Sequence, residues 1–251
     1  MIAKYILGTG MMLMALNGIC GAECAETLHK QADVLREEGK TLEALNLYNQ
    51  ALVEYQKKQG YRGILDVLAG RLISWQHLFN HDEDKTYAIL ARKEAESMLA
   101  IAEEQGIHDR HHLIHFLLGK SSIFLKDYQN AEFEFQKAID LFPNNNAEKG
   151  DWLAHLGEAI YQNGRKEDGE RVILQGIKHI QTHQDDVDSF RVNVWLSGAY
   201  LRLTKILLND NHSQQAKIYL QKGEEIISND PRLVIRKQQL DILKSKRQLQ
   251  K

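Results

Sequence analysis

The chain has 251 residues and a formal net charge of -2, with 43% hydrophobic and 26% charged residues. This composition excludes intrinsic disorder and a generally basic surface of the kind that attracts nucleic acid. Only 2 prolines occur, which favours long helices, and the 2 cysteines, Cys20 and Cys24, lie too close to the amino terminus to build a disulfide framework through the chain.

The first segment has the charge and apolar pattern that is typical of a secretory signal peptide. Lys4 precedes an uncharged run over residues 5–22, and small residues lie at Cys20 and Ala22. We therefore predict a signal peptide over residues 1–22 that is removed after Ala22, with export of the protein to the periplasm or out of the cell. The alternative is an uncleaved membrane anchor through residues 5–22.

From residue 25 onward, apolar residues recur at intervals of three and four, which predicts helices. A triplet recurs five times within this pattern: a small residue, a bulky residue four positions later, and another small residue three positions after that. The three share one helical face, where small residues let a neighbouring helix approach closely and receive the bulky side chain. The triplets are Ala44, Tyr48 and Ala51; Ala95, Leu99 and Ala102; Ala131, Phe135 and Ala138; Gly169, Ile173 and Gly176; and Ala216, Leu220 and Gly223.

Another small residue lies twelve positions before three of the triplets, with a turn signal such as Asn163-Gly164 between them. This spacing predicts two antiparallel helices joined by a short turn. Because such a pair cannot bury its apolar face alone, we expect successive pairs to stack. The predicted units are residues 25–58, 62–106, 109–145, 150–183 and 187–229, and the second and fifth need longer helices or loops.

The stretch from Leu117 to Asn145 resembles a tetratricopeptide repeat almost throughout. The resemblance implies a right-handed α-solenoid of about five antiparallel helix pairs, all-α, with a concave face that binds a protein or peptide partner. The residues that carry the resemblance are Leu118, Gly119, Asp127, Tyr128, Ala131, Phe135, Ala138 and Pro143.

The last segment predicts one more helix. Residues 232–251 contain seven basic residues, one acidic residue and regularly spaced apolar residues. Because the open end of a helical stack must be covered, we predict a capping helix over residues 231–250. The alternative is a basic amphipathic helix that meets an anionic surface or an acidic partner.

The register of the resembled repeat places nine residues on the concave face. Their mixture of aromatic and charged side chains favours an internal peptide segment or a helix of a partner protein. The family's lysine and asparagine clamp for a terminal carboxylate is not present. We expect no nucleic-acid partner, and membrane contact only if the amino-terminal segment is retained. The nine residues are His29 and Asp33 of unit one, Phe116, Lys120 and Phe124 of unit three, and Asp151, His155, Glu158 and Gln162 of unit four.

Motifs for chemistry are scarce in this chain. Because it has no phosphate-binding glycine loop, no serine-nucleophile elbow and no zinc-peptidase helix, we predict neither catalytic residues nor a cofactor. His108, His111, His112 and His115 have spacings that a metal site could use, but we expect His115 to be buried in the repeat and the group to be structural. The alternative function is a metal- or small-ligand-responsive regulator or sensor of the cell envelope.

Overall fold

The computed structural model describes residues 22–248, and over this range the chain forms eleven α-helices and no strand. The predicted signal peptide, apart from Ala22, lies outside the described residues. The helices are α1 (Ala22–Glu37), α2 (Thr41–Lys57), α3 (Tyr61–Asp82), α4 (Lys85–Glu104), α5 (His111–Phe124), α6 (Tyr128–Leu141), α7 (Ala147–Gln162), α8 (Lys166–Thr182), α9 (Ser189–Asn209), α10 (Ser213–Asn229) and α11 (Val234–Gln248).

The first ten helices form five antiparallel pairs. Links of only two or three residues join α1 to α2, α3 to α4, α5 to α6, α7 to α8, and α9 to α10. Because these links are so short, the second helix of each pair runs antiparallel to the first and packs against it. Asp127 and Asn146 cap α6 and α7 by accepting backbone N–H bonds. Gly164, with a φ of 93°, makes the left-handed turn between α7 and α8.

The unusual spacing of the second unit comes from long helices. α3 has 22 residues and α4 has 20, and only Glu83 and Asp84 separate them. The polar stretch at residues 80–84 is therefore largely helical, because α3 continues through Asp82. The fifth unit has a first helix of 21 residues, α9.

The five triplets lie at helix contacts, as their spacing predicts. All ten small residues are buried, and of the five bulky ones only Leu99 is half-buried. At α5 and α6, a Cβ atom on Gly119 would lie 2.6 Å from the Phe135 ring, so glycine makes room for this aromatic side chain. The triplets therefore act as notches for close helix approach.

The pairs stack into one array with a continuous apolar interior. One cluster of buried side chains extends from α3 to α7, and a second extends from α7 to α10. Buried residues of α9, α10 and α11 form a further cluster at the carboxyl-terminal end, which α11 covers. The predicted all-α solenoid of helix pairs with a terminal capping helix is confirmed. Among residues 22–248, no helix combines the length and the apolar character that crossing a bilayer requires.

Candidate partner-binding groove

The first helices of the five pairs form the inner side of the array. Each of α1, α3, α5 and α7 contacts the first helix of the next pair, whereas the second helices of consecutive pairs barely touch. An array whose helices lie closer together on one side curves toward that side, so the first helices line the concave face. The nine predicted groove residues lie on α1, α5 and α7.

Three of them meet at one place on α7. Asp151, His155 and Glu158 lie four and three residues apart, so they share one face of the helix. Asp151 and Glu158 are only 6% and 7% exposed. Arg202 of α9 joins them: its Nε donates to Glu158 Oε2 at 2.7 Å, and its Nη2 lies 2.7 Å from His155 Nε2. The groove therefore contains a compact, largely buried polar cluster.

Burial and charge set the protonation states within this cluster. Burial, together with Arg202, Lys120 and Arg236, holds the pKa of His155 well below its usual range. A neutral imidazole can accept a hydrogen bond, which suits its position against the Arg202 guanidinium. Burial also raises the pKa of Asp151, and the same three cations oppose that shift.

Beside the cluster, α5 contributes an aromatic side chain and a lysine. The Phe116 ring is nearly parallel to Trp152, with centroids 4.7 Å apart, and it meets the edge of His155. Only 7% of Phe116 is exposed, so it packs between α5 and α7. Lys120 Nζ lies 5.7 Å from the centre of the Phe116 ring, and burial lowers the pKa of Lys120 to about 8. Phe116 is therefore a packing residue, and Lys120 is the residue of α5 that brings a polar group to the cluster.

The two predicted residues of α1 belong to a separate group. Asp33 Oδ1 accepts hydrogen bonds from Tyr48 at 2.6 Å and from Arg36 at 2.9 Å. His29 Nε2 lies 3.6 Å from the other oxygen of Asp33. The bond to Tyr48 joins α1 to α2, and both carboxylate oxygens of Asp33 already have a partner within the chain.

The remaining two predicted residues lie at helix ends. The Phe124 ring packs against Phe79 of α3, with centroids 4.7 Å apart. Gln162 is the last residue of α7 and is half-buried. Neither takes part in the contacts that join Asp151 to Arg202.

Three cationic or titratable residues around the cluster were not predicted from the sequence: His77, Arg202 and Arg236. His77 of α3 is held neutral, because burial and the cations around it lower its pKa to about 3. Its Nδ1 is buried and has no hydrogen-bond partner among the described residues. His77 and Arg202 lie on the first helices of the two irregular units, where a register based on even spacing fails.

The histidines of α5 are engaged in packing. His115 is buried, and its Nδ1 lies 2.6 Å from Glu134 of α6. His112 stacks on Trp152, while His108 and His111 contact each other edge to face. His108 lies in a short 3-10 turn before the helix. Within residues 22–248, no three histidine, cysteine, aspartate or glutamate side chains converge on a point that could hold a metal ion.

Comparison with known proteins identifies the fold. Residues 112–145, which cover most of the third helix pair and the start of the link to α7, match the sequence model of the tetratricopeptide repeat. The crystal structure of BtubC (BKLC) from P. vanneervenii is similar, with 19% identity and a TM-score of 0.59 over 83% of this chain and 81% of BtubC. The fold is a tetratricopeptide-like α-solenoid.

Two structures of Rap proteins are also similar to this solenoid. The apo form of RapI has 15% identity and a TM-score of 0.58, covering 92% of this chain and 86% of RapI. A Rap protein complexed with competence and sporulation factor has 20% identity and a TM-score of 0.55, covering 92% and 66% of the two chains. The chain has no match among curated protein sequences.

Proposed function

We propose that this protein is an exported, non-catalytic scaffold that binds a segment of a protein partner in its concave groove. The observation that carries the proposal is the cluster of Asp151, His155, Glu158 and Arg202. Burying charged groups costs free energy, and apolar residues of similar volume would hold the array together at least as well. Charged groups on the inner face are therefore better explained by recognition than by stability.

The chemistry of the groove favours a peptide segment or a helix over a small molecule. Its polar groups are spread over several first helices, from Asp33 of α1 to Arg202 of α9. An extended concave surface of this kind suits a long, narrow partner. Support also comes from the similar Rap protein, whose structure is a complex with competence and sporulation factor.

The proposal is tested by capturing partners with the purified protein and a groove variant. We expect the wild-type chain, immobilised and gently crosslinked to an envelope extract, to retain a specific set of proteins. Glu158→Gln removes one charge from the pair with Arg202 and should reduce this retention about tenfold or more, because it leaves the Arg202 guanidinium without its carboxylate and so changes the charge that the groove presents to the partner.

The matched control is Glu225→Gln, the same change at an exposed position of α10. It should retain the partners as the wild type does. Circular dichroism would show that both variants are folded. Equal retention by the wild type and Glu158→Gln would contradict a role of the groove, and the absence of any retained protein would contradict the scaffold.

Export is tested separately. The predicted signal peptide over residues 1–22 is the support for this part of the proposal. Cell fractionation should recover the chain outside the cytoplasm, and amino-terminal sequencing should begin at Glu23. A full-length chain in the membrane fraction would favour the anchor through residues 5–22 instead.

A further inference from the structure

The carboxyl-terminal helix α11 does more than cover the end of the array. One side of it packs on the last pair, where Leu233 and Leu240 are 3% and 4% exposed beside Leu201 and Leu220. Lys244 also forms an ion pair with Glu224 of α10. These are the contacts expected of a cap.

The other side of α11 reaches the first pair. A Cβ atom on Gly39, in the turn between α1 and α2, would lie 3.1 Å from Gln238 and 3.7 Å from both Val234 and Ile235. α11 also contacts α3. A helix that only capped the end of a stack would contact the last unit alone. α11 therefore spans from the last pair to the first pair, across the concave side that the five first helices line.

Arg236 points from α11 toward the polar cluster. It fills a notch on α9: a Cβ atom on Gly198 would lie 2.7 Å from Arg236 Nη2. Its Nε donates to the backbone oxygen of Val194 at 3.1 Å, and its Nη1 donates to Gln239 at 2.8 Å. Asp151 attracts the positive charge of Arg236, and Arg202 repels it. The side chain is thus a half-buried cation whose hydrogen bonds go to neutral oxygens.

The charges of the groove wall favour a cation at this place. Two carboxylates of the wall, Glu37 and Asp151, attract the charge of Arg236, whereas Arg202 repels it. The two histidines that lie near Arg236, His77 and His155, are held neutral and add no positive charge.

We infer that α11 occupies the partner site, and that the partner segment is a basic amphipathic helix of the same kind, which displaces α11 when it binds. This rests on the proposed function and adds the chemistry of the partner. α11, together with Leu233 just before it, shows which pattern the site accepts: Leu233, Arg236, Leu240 and Leu243, with the arginine three residues after the first leucine. The wall attracts the charge of Arg236, but its hydrogen bonds go to neutral oxygens and hold it less firmly than an arginine–carboxylate pair would, so α11 can be released.

The test uses a labelled synthetic peptide of residues 231–251 and the full chain. In the wild type, α11 competes with the peptide. The apparent affinity of the peptide is therefore its intrinsic affinity multiplied by the fraction of molecules in which the site is open. Arg236→Glu in the protein should release α11 and raise the peptide affinity about tenfold to a hundredfold, measured by fluorescence anisotropy. Hydrogen exchange of α11 should become faster than that of α5.

The matched control is Lys237→Glu, the same charge reversal at the adjacent, exposed residue of α11. It should change neither peptide affinity nor exchange. A peptide with Arg236→Glu should bind poorly to every form of the protein. Arg236→Gln provides a second route if Arg236→Glu does not fold, because it removes the positive charge of α11 without placing a negative charge in the site, and its effect should have the same direction.

The inference is overturned if the peptide binds to no form of the protein, or if Arg236→Glu and Lys237→Glu behave alike. Concentration-dependent dimers of Arg236→Glu, measured by light scattering, would assign the released helix to a second copy and would also overturn it. Failure here is distinguishable from failure of the proposed function. In that case, Glu158→Gln would still reduce the capture of partners while the peptide showed no binding.

Discussion

The third and fourth helix pairs hold together in different ways, although both carry the same small-bulky-small spacing. In the pair of α5 and α6, the Phe135 ring fills the space left by Gly119, so a side chain makes the contact. In the pair of α7 and α8, backbone meets backbone: a Cβ atom on Gly157 would lie 2.6 Å from the nitrogen of Ile173. A side chain can shift to accommodate a change, whereas a helix backbone cannot.

This difference matters for the groove, because α7 carries Asp151, His155 and Glu158. Glycines at positions 150 and 157 face glycines at positions 169 and 176 across the interface of α7 and α8. Close backbone contact fixes the distance between the helices and leaves no flexible side chain in between. We infer that the more rigid of the two pairs is the one that holds the polar cluster.

The largest effect is expected when the aromatic contact of α5 and α6 is removed. Phe135→Ala should lower the free energy of unfolding by about 3–5 kcal/mol, because it empties a site where the ring is fully buried. Urea denaturation of the full chain measures this. A loss below about 1 kcal/mol would show that α6 closes the gap by moving toward Gly119.

Phe116→Ala tests the junction between the two pairs. The sequence predicts a partner-binding role for Phe116, but its burial against Trp152 leads us to expect a loss of about 2–4 kcal/mol in stability. Denaturation and partner capture, measured on the same variant, separate the two roles. Weaker capture with unchanged stability would restore the binding role.

Gly176→Ala tests the backbone contact of α7 and α8. Its Cβ would lie 2.8 Å from the nitrogen of Ala154, so the helices must separate, and we expect a loss of about 1–3 kcal/mol. The control is Gly223→Ala, at the same position of the last triplet, where the nearest atom would be 3.4 Å away. That change should be neutral or stabilise by up to about 1 kcal/mol, because alanine favours helices. Equal effects would mean that the two contacts do not differ.

The smallest effect is the pH dependence of the free energy of unfolding that is caused by His155, on the groove side of α7. The folded-state pKa of His155 lies well below its usual value, so below about pH 6.5 the unfolded chain takes up a proton that the folded chain does not. Stability should therefore fall between pH 7 and pH 5. His77, with a pKa of about 3, should by itself contribute about 1–2 kcal/mol to this decline.

His155→Gln should make the decline between pH 7 and pH 5 shallower. Denaturation midpoints of the wild type and the variant at both pH values measure the difference. Parallel pH profiles would show that His155 is protonated as readily in the folded chain as in the unfolded one.

Features set by neighbours along the chain could be predicted from the sequence. The triplets identified the helix contacts, and the register placed Asp151, His155 and Glu158 on one face of the groove. Phe116 follows the same register but is buried, because its exposure depends on Trp152 of the next pair. Arg202 could not be placed, because the long first helix of the last unit breaks the even spacing.

The position of α11 shows the same limit at larger scale. Its helical pattern and its packing on the last pair follow from local sequence. Its contact with Gly39 depends on how strongly five stacked pairs curve, and small angles between pairs add up along the array. The spacing of residues within 231–250 does not determine this curvature, so it could not predict the contact with Gly39.

The bridge that α11 makes also changes how the array should come apart. In an open solenoid each unit depends only on its neighbours, so the terminal units can fray independently. Here the first and last pairs touch the same helix, so neither can melt without disturbing the other. The contact between Gly39 and Gln238 joins residues almost two hundred positions apart, and contacts of such long range slow folding. Unfolding of the closed array should accordingly be more cooperative than that of a linear one.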